Sequence, residues 1–114
     1  EMAAELVGEG QKKMAKWSPE EWNVVKRDGN DIYRALVECK THDLEPDSDE
    51  AQALIHKHYQ MMKRLYTVSK DVYLGLAQLY REHKGFRKFF GSHHPELVDF
   101  LVEGMRVYAE RNLT

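Results

Sequence analysis

The chain contains six histidines, the side chains most able to bind a metal or move a proton near neutral pH. Metal ligands must converge, yet His56 and His58 are two positions apart and would point about 200° away from each other on a helix. His93 and His94 precede a proline at an expected helix start, where one of them can cap the helix. The sequence has no His-Glu-x-x-His motif, no Glu-x-x-His pair and no cysteine cluster, and the chain is short for a heme globin that would use His58. The sequence therefore predicts neither a metal nor another cofactor.

Aromatic and methionine side chains at helical spacing form a second candidate set around His58, which falls within an apolar stripe. Such a stripe is usual for a packed core, and a core histidine with one hydrogen-bond partner would fit it. Tyrosine is an unusual choice for a dry core because each buried hydroxyl needs a partner, whereas tyrosines with adaptable methionines suit a cavity for a large, partly polar ligand. We predict such a cavity, and its candidate lining residues are His58, Tyr59, Met62, Tyr66, Tyr73, Phe86 and Phe90.

The sequence offers no set of groups for nucleophilic catalysis or phosphate binding. It has no Gly-x-Ser-x-Gly motif and no glycine-rich phosphate loop. Cys39 is its single cysteine, which excludes an internal disulfide, and an expected helix C-terminus nearby disfavours its thiolate. We therefore expect a binding or interaction domain and not an enzyme.

Length and charge restrict the class of protein further. The 114 residues suffice for one domain, and 17 basic residues against 19 acidic ones give a net charge of -2. A nucleic-acid-binding domain usually has a basic excess, so we expect no direct contact with nucleic acid. No apolar run approaches the roughly 20 residues that span a bilayer, and no secretion signal opens the chain, so we expect a cytoplasmic protein without a membrane partner. The first residue is a glutamate, which suggests a piece of a longer protein.

Helical periodicity runs through nearly the whole chain, and strictly alternating β-branched segments are missing from it. We predict an all-α fold of five or six helices without a sheet. The domain itself is assigned to 15–114. Residues 1–14 have few apolar positions, so we expect them to be a flexible arm or the end of a linker helix from an upstream domain.

The clearest helix start lies at Ser18, which has the spacing of a capping box with Glu21. Pro19 suits the first helical position, and Trp17 and Trp22 are placed to form a hydrophobic staple. This helix should end near residue 40.

Later boundaries are predicted from similar signals. Asp47 or Ser48 should cap the next helix with a glutamate at N3, and Gly85 should close the helix after that as its C′ residue. The last helix should start near His94, with Pro95 at N1. In the helical segment that should end at Gly85, the residues predicted to face inward are Val68, Val72, Leu76 and Leu79, with Tyr73 and Tyr80 beside them.

Three glycines, Gly29, Gly75 and Gly104, fall in the middle of predicted helices. Each costs a helix about 1 kcal/mol relative to alanine. Close approach of two helices is the usual compensation, and a groove left open for a ligand is the alternative.

Several segments, taken in order and spacing over roughly 15–110, carry a resemblance to a known family. They are Trp17-Ser18-Pro19-Glu20-Glu21-Trp22, Asp31-Ile32-Tyr33-Arg34-Ala35-Leu36, Val72-Tyr73-Leu74-Gly75-Leu76-Ala77-Gln78-Leu79-Tyr80, Phe86, and a final helix with Leu97, Phe100, Leu101 and Tyr108. This pattern resembles the TipAS-type antibiotic-recognition domain of MerR-family transcriptional regulators.

The resemblance implies a globin-like all-α fold without heme and an antibiotic-like small-molecule ligand, thiopeptides being the founding ligands, held in a cleft between helices. It also implies a full-length regulator that is a homodimer through an upstream coiled coil absent from this chain. Stand-alone relatives sequester drugs, and a helical protein–protein interaction module without a ligand is the alternative outside the family.

One position departs from the founding members, which capture their ligand through a cysteine shortly before the Gly-Leu-Ala segment. Val68 stands there in this chain, and Cys39 lies on a different helix. We therefore expect non-covalent binding of a bulky, mostly apolar ligand. Its cavity is expected between the two middle helices and the last one.

Overall fold

The fold is described from a computed structural model, which describes residue 8, residues 11–12, 15–65 and 67–114. From residue 15 onward the described residues form five helices and no strand. They are α1 (Pro19–Thr41), α2 (Asp49–Met62), α3 (Lys70–Glu82), α4 (Lys84–Gly91) and α5 (Leu97–Asn112). The all-α prediction is confirmed. The arm predicted for 1–14 falls largely outside the described residues. No helix among those described is long and apolar enough to cross a membrane.

The start of α1 is the predicted one. The Glu21 backbone N–H donates to Ser18 Oγ at 3.2 Å, and Glu21 Oε1 accepts from the Ser18 backbone N–H at 3.4 Å, which completes the capping box. Trp17 and Trp22 meet edge to face with their ring centroids 5.2 Å apart. The staple thus fixes the direction in which the chain enters the helix.

The predicted capping box of the next helix does not form. Ser48 is the cap, and its Oγ accepts the N–H of Ala51, so N3 is an alanine and not Glu50. A second boundary also differs, because the His83 ring accepts the Gly85 N–H at 3.1 Å and caps α4 directly after α3. Gly85 is therefore inside α4 and is not a C′ residue.

The last helix begins later than predicted. His94 Nδ1 accepts the Glu96 N–H at 3.0 Å, and the His94 carbonyl accepts the Leu97 N–H at 3.1 Å. These bonds form a turn that contains Pro95, and α5 starts only at Leu97.

The core lies where α3 packs along α5 and where α1 packs along α2. The predicted inward face of α3 is partly wrong, since the helix buries Tyr73 and Tyr80 together with Leu76, while Val72 and Leu79 are half-buried. Tyrosine hydroxyls can be buried here because α2 supplies them with a partner, described below.

Gly104 on α5 permits a close approach of two helices. A Cβ at this position would lie 2.9 Å from Ile55 Cδ1 on α2, a side chain with no exposed surface. The carbonyl of Gly104 also accepts from Gln52 Nε2 at 3.1 Å. The interpretation of this glycine as a packing residue is therefore confirmed.

Candidate functional site

An open apolar groove of about 660 Å³ lies between α1 and α4. The end of α2 and Tyr80 of α3 form its floor. The lining residues are Trp17, Trp22, Val25, Lys26, Gly29, Asn30, Tyr33, Met61, Met62, Leu65, Tyr80, His83, Gly85, Phe86, Phe89 and Phe90. Aromatic rings and methionine side chains dominate this set, which is the usual chemistry of a site for a large apolar ligand.

The α1 wall follows from helical spacing. Trp22, Lys26, Gly29 and Tyr33 recur at intervals of three and four residues, so they share one face of the helix. A Cβ on Gly29 would make only ordinary contacts, the nearest being Met61 Sδ at 3.5 Å. Packing therefore does not require a glycine at position 29. The absence of a side chain on Gly29 leaves the groove wider.

The α4 wall is formed by phenylalanines that interlock with both neighbouring helices. Phe90 is buried, and its ring lies edge to face against Tyr33 at 5.0 Å and Tyr80 at 4.9 Å between centroids. Phe86 also contacts Tyr80, at 5.0 Å. These contacts pack the α4 wall against both α1 and α3.

Two large apolar side chains in the described residues are exposed, and both belong to this groove. Trp22 on α1 is 39% exposed and Phe89 on α4 is 46% exposed. They lie on opposite walls. Large exposed apolar side chains on both walls of a groove mark a surface that is suited to being covered.

Three polar side chains complete the lining. Lys26 and Asn30 are one turn apart on α1, and His83 faces from the junction of α3 and α4. Because His83 Nδ1 accepts the Gly85 N–H, the ring proton in this contact is on Nε2, which is left to donate. Among the described residues no carboxylate lines the groove.

A buried polar group, the interior cluster, lies behind the floor of the groove and consists of His58, Tyr73, Tyr80 and Met62. His58 Nδ1 is 2.9 Å from the Tyr73 hydroxyl, and its Nε2 is 3.2 Å from the Tyr80 hydroxyl. The Tyr80 hydroxyl donates to Met62 Sδ at 3.5 Å. The Tyr80 oxygen then accepts from His58 Nε2–H, and Nδ1 accepts the Tyr73 hydroxyl.

Burial determines the charge state of this cluster. His58 has no exposed surface, and the resulting loss of hydration lowers its pKa to about 3. Burial also raises the pKa of the Tyr73 hydroxyl. Both groups are therefore neutral near pH 7, and the cluster joins α2 to α3 without a buried charge.

The predicted site residues separate into two groups. Met62, Phe86 and Phe90 line the groove, whereas His58 and Tyr73 have no exposed surface and lie in the core. Tyr59 is half-buried against Tyr73 and Tyr108, away from the groove lining. Tyr66 lies outside the described residues.

The location of the predicted cavity needs correction. Its expected third wall, α5, contributes none of the groove residues that the structure describes, and α1 and α4 take that place. The side chains that sequence reasoning missed include Trp17, Trp22, Tyr33, Met61 and Phe89. The signal for the first two was present, since a staple made of two tryptophans places more aromatic surface at a helix entrance than packing there needs.

Cys39 is separate from the groove. It is buried near the C-terminal end of α1, and burial, with the nearby carboxylates of Glu50 and Glu38, raises the pKa of its thiol. Val68 is half-buried. The described residues also contain no group of three or more side chains that could hold a metal ion.

Comparison with known proteins identifies a family whose model matches most of the chain. The family model of the TipAS antibiotic-recognition domain matches residues 3–108. The HTH-type transcriptional activator mta of Bacillus subtilis (strain 168) is 23% identical over 107 residues, which are 93% of this chain and 41% of that activator. No solved structure matches the chain. Because the family match extends over the groove and the interior cluster alike, the chain belongs to the TipAS antibiotic-recognition domain family.

Proposed function

We propose that this chain is the effector-binding domain of a MerR-type transcriptional regulator. Its groove binds a bulky, mostly apolar, antibiotic-like molecule without forming a covalent bond, and the domain has no catalytic activity. A DNA-binding segment and a dimerising coiled coil belong to the rest of the proposed regulator, which acts in the cytoplasm. The family match and the similarity to a transcriptional activator support this assignment.

The observation that carries the proposal is the exposure of Trp22 and Phe89 on opposite walls of one groove. Leaving two large apolar side chains in water costs free energy, which a ligand inserted between them would recover. The groove is also large enough for a drug-sized ligand, for which sites of about 300–1,000 Å³ are usual.

Non-covalent binding is supported by the position of the single cysteine. Cys39 is buried, its thiol has a raised pKa, and its side chain is not part of the groove lining. The neutral thiol is a poor nucleophile. Drug sequestration by a stand-alone protein would use the same groove, so the two functions differ in the rest of the protein and not in this site.

Replacing Phe89 by alanine tests the proposal. The truncation removes the exposed aromatic ring of the α4 wall, so we expect it to weaken binding by about 1–3 kcal/mol, the range for an aromatic anchor. The fold should be retained because nearly half of the side chain is already in solvent. Quenching of the two tryptophans by a panel of bulky antibiotics, thiopeptides included, measures the dissociation constant.

A Leu74→Ala variant is the matched control, since Leu74 is half-buried on α3 and lies outside the groove lining. It should bind like the wild type. The wild type should also gain about 2.7 kcal/mol of stability at a ligand concentration of 100 times the dissociation constant. The proposal fails if no compound of the panel changes the melting temperature or the fluorescence, or if Phe89→Ala binds as tightly as the wild type.

A further inference from the structure

Three polar side chains of the groove can donate hydrogen bonds to a ligand. Lys26 offers an ammonium group, Asn30 an amide N–H₂ and His83 its Nε2–H. Lys26 and Asn30 are one helical turn apart on α1, and His83 stands at the start of the opposite wall. No hydrogen bond or ion pair within the described residues engages the side chains of Lys26 or Asn30, so both are available to a ligand.

The charges around the groove have the same sign as Lys26. The α4 sequence that carries Phe86 and Phe89 also carries Lys84, Arg87 and Lys88 and no acidic residue, and these three side chains are exposed. The low dielectric constant of a groove with apolar walls strengthens the field of such charges.

Carboxylates near this surface are directed elsewhere. Asp28 and Asp31, the acidic residues of α1 nearest in sequence to Lys26 and Asn30, line a separate depression toward α2. Glu21 is engaged with Ser18 in the capping box. The groove is therefore apolar and positively polarised, without a carboxylate of its own in the described residues.

We infer that the groove selects apolar aromatic ligands that carry a hydrogen-bond acceptor or an anionic group and rejects cationic amphiphiles. This inference rests on the proposed function and adds the chemical class of the ligand. A cation entering the groove would meet Lys26 and the field of α4 with no counter-charge, whereas a carboxylate or a carbonyl oxygen would accept from Lys26, Asn30 or His83.

Three probes with one aromatic core test the inference. Pyrenebutyrate, pyrenebutanol and pyrenebutyl-trimethylammonium differ only in their polar end, and energy transfer from the tryptophans in the groove reports binding of each. The wild type should bind the anion more tightly than the alcohol by about fivefold, and the alcohol more tightly than the cation, as expected for a partly exposed charge contact. The ratio of anion to cation affinity should fall as salt is added.

A double variant, Lys26→Glu with Asn30→Asp, should reverse this order of affinities. The matched control is Lys57→Glu with Gln60→Glu, which makes the same change in net charge on the exposed side of α2, outside the groove. The control should keep the wild-type order, because a preference set by net charge alone would change in both variants.

These titrations distinguish a failure of the charge selection from a failure of the proposed function. If the wild type binds all three probes equally, or the cation most tightly, the charge selection is overturned while the groove remains a ligand site. The charge selection is also overturned if the control reverses the order as the double variant does. If no probe quenches the tryptophans at any concentration, both this inference and the proposed function fail.

Discussion

At the scale of single residues, the protonation of His58 is strongly coupled to folding. It is fully buried, and both ring nitrogens lie within hydrogen-bond distance of tyrosine hydroxyls of α3. A histidinium would have to donate from both nitrogens in a site without a counter-charge. The folded state is therefore compatible with the neutral ring of His58 and is destabilised by the histidinium.

This coupling predicts a loss of stability in mild acid. The pKa of His58 is about 3 in the folded chain and about 6.5 when unfolded, so between these values the unfolded chain binds the extra proton. The contribution of neutral His58 to the free energy of unfolding is complete above the pKa of the unfolded chain. It declines as the pH falls toward 3. At pH 5 the loss from this group should be about 2 kcal/mol relative to pH 7.5.

Urea denaturation at several pH values measures this effect through the midpoint of unfolding. A His42→Gln variant, which changes an exposed histidine, should keep the pH dependence. Equal free energies of unfolding at pH 7.5 and pH 5 would show that His58 is not the buried neutral group described here.

Residue types predicted only part of the site. Met62, Phe86 and Phe90 were chosen for their type and do line the groove, whereas His58 and Tyr73 were chosen for the same reasons and lie in the core. The expectation that a buried tyrosine hydroxyl needs a partner was sound, but the partner of Tyr73 is His58 on another helix. Sequence spacing cannot distinguish a ligand from a neighbouring side chain as that partner.

At the scale of helices, local capping signals were reliable where two of them agreed. Ser18 and Glu21 form the predicted box, and the tryptophan staple reinforces it. The boundaries at Gly85 and Pro95 were wrong because His83 and His94 each accept a backbone N–H two residues ahead. Histidine is an uncommon cap, so residue type alone does not mark these turns.

Close packing of α2 and α5 predicts that Gly104→Ala is destabilising. The new Cβ would lie within 3.0 Å of two carbons of Ile55, which is fully buried and cannot move into solvent. We expect a loss of about 1–3 kcal/mol, the range for overpacking a core, despite the better helix propensity of alanine.

Gly91→Ala is the matched control, because an added Cβ there meets nothing within 4 Å. Its effect should be neutral or slightly stabilising. Thermal denaturation of the two variants separates the effect of overpacking from the effect of helix propensity. If Gly104→Ala unfolded at the same temperature as Gly91→Ala, the close approach of α2 and α5 would be contradicted.

At the scale of the whole molecule, the groove and the interior cluster share two side chains. Tyr80 and Met62 line the groove on one side and interact with each other on the other, where Tyr80 also meets His58. The groove is therefore built directly on the hydrogen-bonded cluster that joins α2 to α3. Its position between α1 and α4 could not be predicted from periodicity, which shows which face of a helix is apolar but not which neighbour covers it.

The central claim is that a ligand enters between α1 and α4, and the indole N–H signals of the two tryptophans test it most directly. Trp17 and Trp22 are the only tryptophans of the chain and both line the groove, so a heteronuclear NMR spectrum contains two indole signals from this site. On addition of an antibiotic that raises the melting temperature, both signals should shift and saturate with the dissociation constant measured by fluorescence, and no adduct should form on Cys39. A ligand that saturates the protein while both indole signals stay unchanged would contradict the claim.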